Sequence, residues 1–317
     1  MNTGVWLLAL LQLLLFLVAA PLLTGWVKWL KARLQNRRGP APWQTWRTLY
    51  KLLGKEVLVA YTSSALFRVA PYIVFAATLL ACAALPLLAV HIPTAALADV
   101  IVLVGLLALA RFFLALAAMD VGTAFGGMGA SREMLISALA EPALLLVVFT
   151  LAMTAHSTNL AAMVDYQLDT GLLLRPSYLF ALMGLLLLAV AESGRIPVDN
   201  PATHLELTMV HEAMILEYSG RHLALMEWAA QLKLMLYGVL IVNVFFPWGI
   251  ATDFTVAALL GGLAALTFKL LLLGALLSLM ETGLAKMRLF RVPQFLNFAL
   301  LLALLGMLSH VMLEVAP

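Results

Sequence analysis

Eight runs of apolar residues, at roughly 5–27, 69–90, 99–119, 133–155, 176–193, 222–247, 255–280 and 294–314, dominate the chain. Crossing a hydrocarbon layer of ~30 Å takes ~20 such residues in a helix. Lipid offers the backbone no hydrogen-bond partner, so each run has to satisfy its own N–H and C=O groups, which an α-helix does. The sequence therefore predicts an all-α integral membrane protein with about eight transmembrane helices. The fifth run is short and ends in polar sequence. The first has no basic residue ahead of it and no small-residue cleavage site after it, and reads as a retained span rather than a signal peptide. No long hydrophilic stretch is left over among the 317 residues, so 1–317 is expected to be a single polytopic membrane domain.

Composition narrows the function classes. The chain is 64% hydrophobic and 11% charged, against about 45–50% and about 25% in soluble domains. That excludes a soluble globular enzyme, a disordered protein and a nucleic-acid binder. The net charge is only +3, and the cations are clustered, so they speak to topology. The one cysteine, Cys82, lies in an apolar run. It can form no disulfide within the chain, and no cysteine set is present for an iron–sulfur cluster. No cofactor is expected in this chain.

The loops set an orientation. Lys28, Lys31, Arg33, Arg37, Arg38, Arg47, Lys51, Lys55 and Arg68 follow the first run. Arg111, Arg132, Arg195, Arg221, Lys286, Arg288 and Arg291 are assigned to the loops after the third, fifth and seventh runs. The opposite side holds only Arg175, a bias of sixteen to one. By the positive-inside rule the elaborate loops, 28–68 and 192–221, face the cytoplasm and both termini face outward. Within the first of them, residues 42–60 read as an amphipathic inner-surface helix. Trp46, Leu49, Leu53 and Val57 form one stripe, and Arg47, Lys51 and Lys55 another. Such a helix lies on anionic headgroups of the lipid bilayer or docks a cytoplasmic partner, and the loop is longer than anchoring requires. No internal repeat of the kind many secondary transporters carry is visible.

Charge at membrane depth costs at least ~2.5 kcal/mol per group and therefore marks a function or a partner. Glu141, Glu192, Glu227, Lys233 and Lys269 fall in or at the edge of the runs, and 191–220 carries Glu192, Asp199, Glu206, Glu212 and Glu217. Acids buried near one another resist ionisation and exchange protons near neutral pH, so the group reads as proton-transfer candidates. The plain alternative is that each acid pairs with Arg195, Arg221, Lys233 or Lys269. His211-Glu212 has the start of a zinc-protease helix but Ile215 where the second histidine belongs, and His204 and His211 have no evident third ligand; no metal site is expected. Gly126-Gly127-Met128-Gly129 lacks the lysine and serine of a phosphate loop and reads as a tight turn dipping into the membrane.

At this level of detail the chain resembles a known family. Arg33-Leu-Gln-Asn-Arg-Arg-Gly-Pro40 is similar to ARxQxRxGP, Lys51-Leu-Leu-Gly-Lys-Glu56 to KLxxKE, and Glu192-Ser-Gly-Arg-Ile-Pro-Val-Asp199 to ETNRxPFD. Glu206-Leu207 followed by Glu217-Tyr-Ser-Gly220 is similar to SEL…TEYSG. These are stretches of subunit 1 of mitochondrial complex I and of its counterpart in bacterial NADH:quinone oxidoreductase, and the similarity covers nearly the whole chain. Asp120-Val-Gly-Thr-Ala-Phe-Gly-Gly-Met-Gly-Ala-Ser-Arg-Glu133 resembles DxGxxFxGxGASRE of the homologous subunit in membrane-bound [NiFe] hydrogenases, the formate hydrogenlyase and energy-converting group. The segment between Glu206 and Glu217 is longer than in the quinone-reducing enzymes, which also leans toward the hydrogenase branch.

The resemblance implies a non-redox coupling subunit of an oxidoreductase complex in a bacterial or archaeal cytoplasmic (inner) membrane. Its partners would be a hydrogenase-like large subunit with a NiFe centre, iron–sulfur subunits and antiporter-like membrane subunits. Glu192, Asp199, Glu206 and Glu217 would be chamber-side acids, Glu141 an intramembrane relay member, and Arg33, Arg37 and Arg38 part of the surface facing the arm. Glu212 lies in the unmatched insertion and rests on its charge alone. Two other readings are a quinone-chamber subunit of a quinone-reducing enzyme, and a stand-alone ion transporter.

Overall fold

The computed structural model describes residues 3–90, 98–171, 175–199, 209–251, 254–285 and 287–314. Among these there is no strand; the elements are α1 (Thr3–Leu34), α2 (Gln44–Leu53), α3 (Ala65–Ala83), α4 (Val100–Asp120), α5 (Ala124–Ala155), α6 (Leu160–Thr170), α7 (Pro176–Glu192), α8 (His211–Ile215), α9 (Gly220–Leu240), α10 (Val256–Gly283) and α11 (Val292–Ser309). Seven helices are long and apolar enough to cross a membrane. The eighth expected span is α7, 17 residues long, about 25 Å at 1.5 Å per residue. The protein is a multi-pass membrane protein. The helices begin where side chains can cap them: the Ser64, Asp99, Thr123 and Thr255 side chains accept from the first turns of α3, α4, α5 and α10.

Close packing holds α7 in place. Lipid supplies no hydrophobic drive between helices, so small residues that let backbones approach do the work. Ser177, Ala181 and Gly184 of α7 meet Ala299, Ala303 and Gly306 of α11. A Cβ on Gly306 would lie 3.2 Å from the Ser177 carbonyl, and one on Gly184 3.4 Å from that of Ala299. Around this pair α5 packs on α4, α7 and α11; α3 on α4 and α9; and α1 on α9 and α10.

Several expectations are corrected. Arg111 is no loop residue: it sits in the middle of α4 and is buried. Gly126, Gly127 and Gly129 form no turn, because α5 starts at Ala124 and runs 32 residues. The glycines give room: a Cβ on Gly126 would meet the Ala118 carbonyl at 2.2 Å, and one on Gly129 the Val210 carbonyl at 3.0 Å. The amphipathic helix stops at Leu53, so Lys55 and Val57 lie beyond it. Its apolar face is covered by protein rather than lipid: Leu49 is buried, and the Trp46 indole N–H donates to the Val18 carbonyl at 3.1 Å and sits edge-on to Trp228. The second apolar run breaks after Ala83. Residues 84–90 are buried irregular backbone, with the Asn243 amide donating to the Pro86 and Leu87 carbonyls and the Leu87 N–H donating to Gln12. Irregular backbone inside a bundle is stable when its polar groups are met in this way.

Two of the sequence motifs meet at the end of the bundle that carries the basic loops. Ser219 accepts from the Leu58 N–H and donates to its carbonyl, both at 2.8 Å. Tyr218 stacks on Phe67 with ring centroids 4.0 Å apart and donates to the Phe67 carbonyl. Gly220 has φ +53°, and a Cβ there would lie 2.3 Å from the Glu56 carbonyl oxygen. The EYSG stretch is thus a clamp on the connection from α2 to α3. Gly220→Ala adds left-handed strain and a backbone clash, an expected loss of about 2 kcal/mol or more. Gly105→Ala, where nothing lies within 4 Å, is expected to be neutral. Thermal unfolding of the two variants in detergent checks the contrast.

Candidate functional site

Four helices bring their charges to one point. Glu133, Ser137 and Glu141 recur every fourth residue of α5 and so share a face. Opposite them, Arg111 of α4 donates through Nη1 to Ser137 Oγ and, at 3.0 Å, to Glu141 Oε1. Its Nη2 donates to Glu192 Oε2 at 2.7 Å, at the last residue of α7. Lys233 of α9 reaches the same Glu192 oxygen at 2.8 Å. Glu133 Oε1 stands 3.8 Å from Arg111 Nε, and Ser137 donates to Glu141 at 2.8 Å. Three carboxylates therefore face two cations. With all five ionised the hub carries one net negative charge in a low-dielectric interior. An excess carboxylate there is stabilised by binding a proton or by borrowing a cation from its neighbour.

The hub is bounded by space. Two cavities of about 40 Å³ share Glu133, His211, Ala230 and Lys233 as walls. One extends to Arg111 and Thr78, the other to Glu192, Gly194 and Asp199. A third, of about 290 Å³, opens on the outer face between α4 and α5 beside Glu141 and Phe112. Arg111 Nε and the hydroxyl of Tyr237, both buried, have no hydrogen-bond partner among the described residues. Tyr237 lies in electrostatic reach of Glu192 and Arg111.

The expected residues divide as follows. Glu141, Glu192 and Lys233 belong to the hub. Asp199 is buried beside it and accepts from the His211 N–H at 3.3 Å. Glu206 lies outside the described residues. Glu212 and Glu227 are half-buried and within electrostatic reach of Lys28. Glu217 is exposed at the basic end. Lys269 stands apart, with no acid beside it among the described residues: its ammonium donates to Asn243 Oδ1 and to the Val242, Phe246 and Trp248 carbonyls at 3.0–3.3 Å. Those oxygens are released where α9 runs into a wider π turn, Ile241–Phe245, so Lys269 caps a helix C-terminus. Arg33, Arg37, Arg38, Arg47, Lys51 and Lys55 are all exposed. Around them Tyr50, Leu58 and Tyr61 are also bare.

Sequence reasoning missed Arg111, Glu133, Ser137 and Glu281. The fourfold spacing on α5 and a lone arginine inside an apolar run were the available signals. Glu281 of α10 anchors a second pair of bridges, to Lys31 of α1 at 2.8 Å and to Arg195 at 3.3 Å. Arg132 fastens the segment ahead of α8 by donating to the Met209 carbonyl at 2.7 Å. Outside the spans, burial holds the His211 imidazole below its ordinary pKa, opposed by the nearby Glu133 carboxylate. Burial likewise raises that of the Tyr218 phenol. Among the described residues no three His, Cys, Asp or Glu side chains converge as a metal site.

Known proteins share this arrangement of helices. The chain is 37% identical over 280 residues to hydrogenase-4 component C of Escherichia coli, covering 88% of each chain. It is 35% identical over 303 residues to formate hydrogenlyase subunit 4 of the same organism, covering 93% of this chain and 98% of that one. Its fold matches a chain of the membrane-bound sulfane sulfur reductase, an archaeal respiratory membrane complex, with a TM-score of 0.80 at 20% identity, over 96% of this chain and 99% of that one. The family model described as NADH dehydrogenase matches residues 7–312, and the chain belongs to that family, the complex I subunit 1-like membrane proteins.

Proposed function

We propose that this chain is the non-redox coupling subunit of a multisubunit membrane [NiFe] hydrogenase, of the kind its hydrogenase-4 and formate hydrogenlyase relatives are named for. The exposed basic end faces the cytoplasm, with both termini on the other side, and anchors an arm whose partner subunits carry the NiFe centre and iron–sulfur clusters. Antiporter-like subunits stand beside it in the membrane. The observation that carries the coupling role is the hub, three carboxylates and two cations packed where the apolar helices α4, α5, α7 and α9 meet.

Magnitudes favour one way of coupling. An electron arriving about 15 Å from a carboxylate changes its proton affinity by about 1 kcal/mol at an effective dielectric constant of about 20. That is less than one pKa unit, too little to drive a proton by field alone. Exchange of ion-pair partners moves more. Glu192 is held by both Arg111 and Lys233, and leaving a buried charge without its partner costs about 3–5 kcal/mol. Movement of Lys233 away from Glu192 is therefore coupled to protonation of a hub acid, and the free energy for it comes from electron transfer in the arm rather than from the ion pair itself. Glu141, half-exposed on the cleft between α4 and α5, passes that proton, or a sodium ion in its place, to the neighbouring membrane subunit.

A quinone-reducing reading ranks second. It rests on an apolar cavity of about 370 Å³ between α1, α7, α9 and α10, which has the character of a site for an isoprenoid tail but is lined by no charged group among the described residues.

Arg111→Met leaves Glu133 and Glu141 without a cation and Glu192 with Lys233 alone, and is expected to cost about 3–5 kcal/mol, read as loss of assembled subunit from the membrane. Arg111→Lys is expected to keep assembly but to weaken the hub, because one ammonium cannot fork between Glu141 and Glu192. Glu192→Gln and Glu141→Gln keep the shape and remove the exchangeable charge. Each is expected to leave the complex assembled and to cut hydrogen-linked proton movement about tenfold, measured with a pH-sensitive dye in inverted vesicles. Full coupled movement in both would remove the hub from the mechanism.

A further inference from the structure

His211 is the first residue of α8, between the Glu192–Asp199 and Glu217–Gly220 motifs. Three contacts fix its position. Gly129 lets α8 sit directly on α5, the Arg132 guanidinium holds the Met209 carbonyl, and the His211 N–H is fastened to the Asp199 carboxylate. His211 then forms part of the wall of both small polar cavities, the one that also holds Arg111 and the one that also holds Glu192 and Asp199. Each cavity, at about 40 Å³, exceeds the roughly 10–15 Å³ a water molecule needs, and each offers the water several polar partners.

We propose that His211 is the proton-transfer residue that joins the basic end of the bundle to the hub, working through water in these two cavities. This rests on the coupling role proposed above and names its port on the cytoplasmic side. The step is a plain proton exchange: the imidazole accepts a proton from water on the Asp199 side, and its other nitrogen gives one up through water to a Glu133 or Glu192 carboxylate. The ring returns to neutral, and no electron moves. The charges that share its cavities are Glu133 on α5, Arg111 on α4, Lys233 on α9, Glu192 at the end of α7 and Asp199 beyond it; Arg132 of α5 is held at Met209, and Glu212 is next in sequence. Burial favours the neutral ring, so a proton taken up by His211 is readily passed on.

The test uses the assembled complex in inverted vesicles and compares His211→Gln, His211→Ala and Glu192→Gln. His211→Gln is expected to assemble and to lose about a hundredfold or more of proton movement per hydrogen turned over, the scale of a lost acid–base group. His211→Ala is expected to lose as much and to regain a large part when imidazole is added, with the recovered rate following the pH at which imidazole titrates. Full coupling in His211→Gln beside loss in Glu192→Gln would overturn the role of His211 alone. Full coupling in both would overturn the coupling role of the hub. A His211→Ala variant that imidazole does not rescue, or failure of both His211 variants to assemble, would make His211 a packing residue and contradict the proposal.

Discussion

A buried guanidinium organises this protein. Arg111 sits halfway along α4 and can be there only because α5 and α7 bring carboxylates and a serine hydroxyl to it. Removing an arginine from water costs several kcal/mol even after relaxation, and the cost is offset only while α4, α5 and α7 keep their present register. Lys233 extends the same constraint to α9. Four helices are thus fixed against one another by polar contacts, while the rest of their surfaces pack through Gly, Ala and Leu. The hub and the bundle are one construction, and a rearrangement of the ion pairs is also a strain on the helices that carry them.

The remaining polar features divide the labour. At one end the EYSG clamp, the Asp120 carboxylate accepting from the Ser64 N–H, and the Lys31–Glu281–Arg195 bridges tie down connections that present exposed cations. At the other end Lys269 and Asn243 satisfy a frayed helix terminus and the irregular chain at 84–90. Among the described residues only the hub has an excess of acid, cavities on its flanks and a side chain, Glu141, partly open to the outer face. That combination separates it from the charges that simply hold the structure together.

Much of this was legible in the sequence. Hydropathy gave the number and rough limits of the spans, because length and apolarity are what a bilayer demands. The acids Glu141 and Glu192 stood out because charge is rare at that depth. Arg111 did not, since tallying cations by side assigns an arginine near the end of a run to the loop beside it, and only the partners on α5 and α7 show that it is buried. The helical Gly126–Gly129 stretch was also hidden. Glycine signals a turn by propensity, whereas here its value is the close approach of Ala118 and α8, a tertiary fact. Lys269 looked like a relay group because it is charged and intramembrane, and its carbonyl partners come from residues more than twenty positions away.

The most direct test of the coupling claim is redox-induced infrared difference spectroscopy on the intact complex, comparing natural and carboxyl-labelled glutamate. Reduction of the arm is predicted to change the protonation of a glutamate, seen as a label-sensitive carboxylic acid band that disappears when Glu192 is replaced by glutamine. A spectrum with no label-sensitive carboxyl change on reduction, or one that Glu192→Gln leaves intact, would contradict a hub that exchanges protons in step with electron transfer.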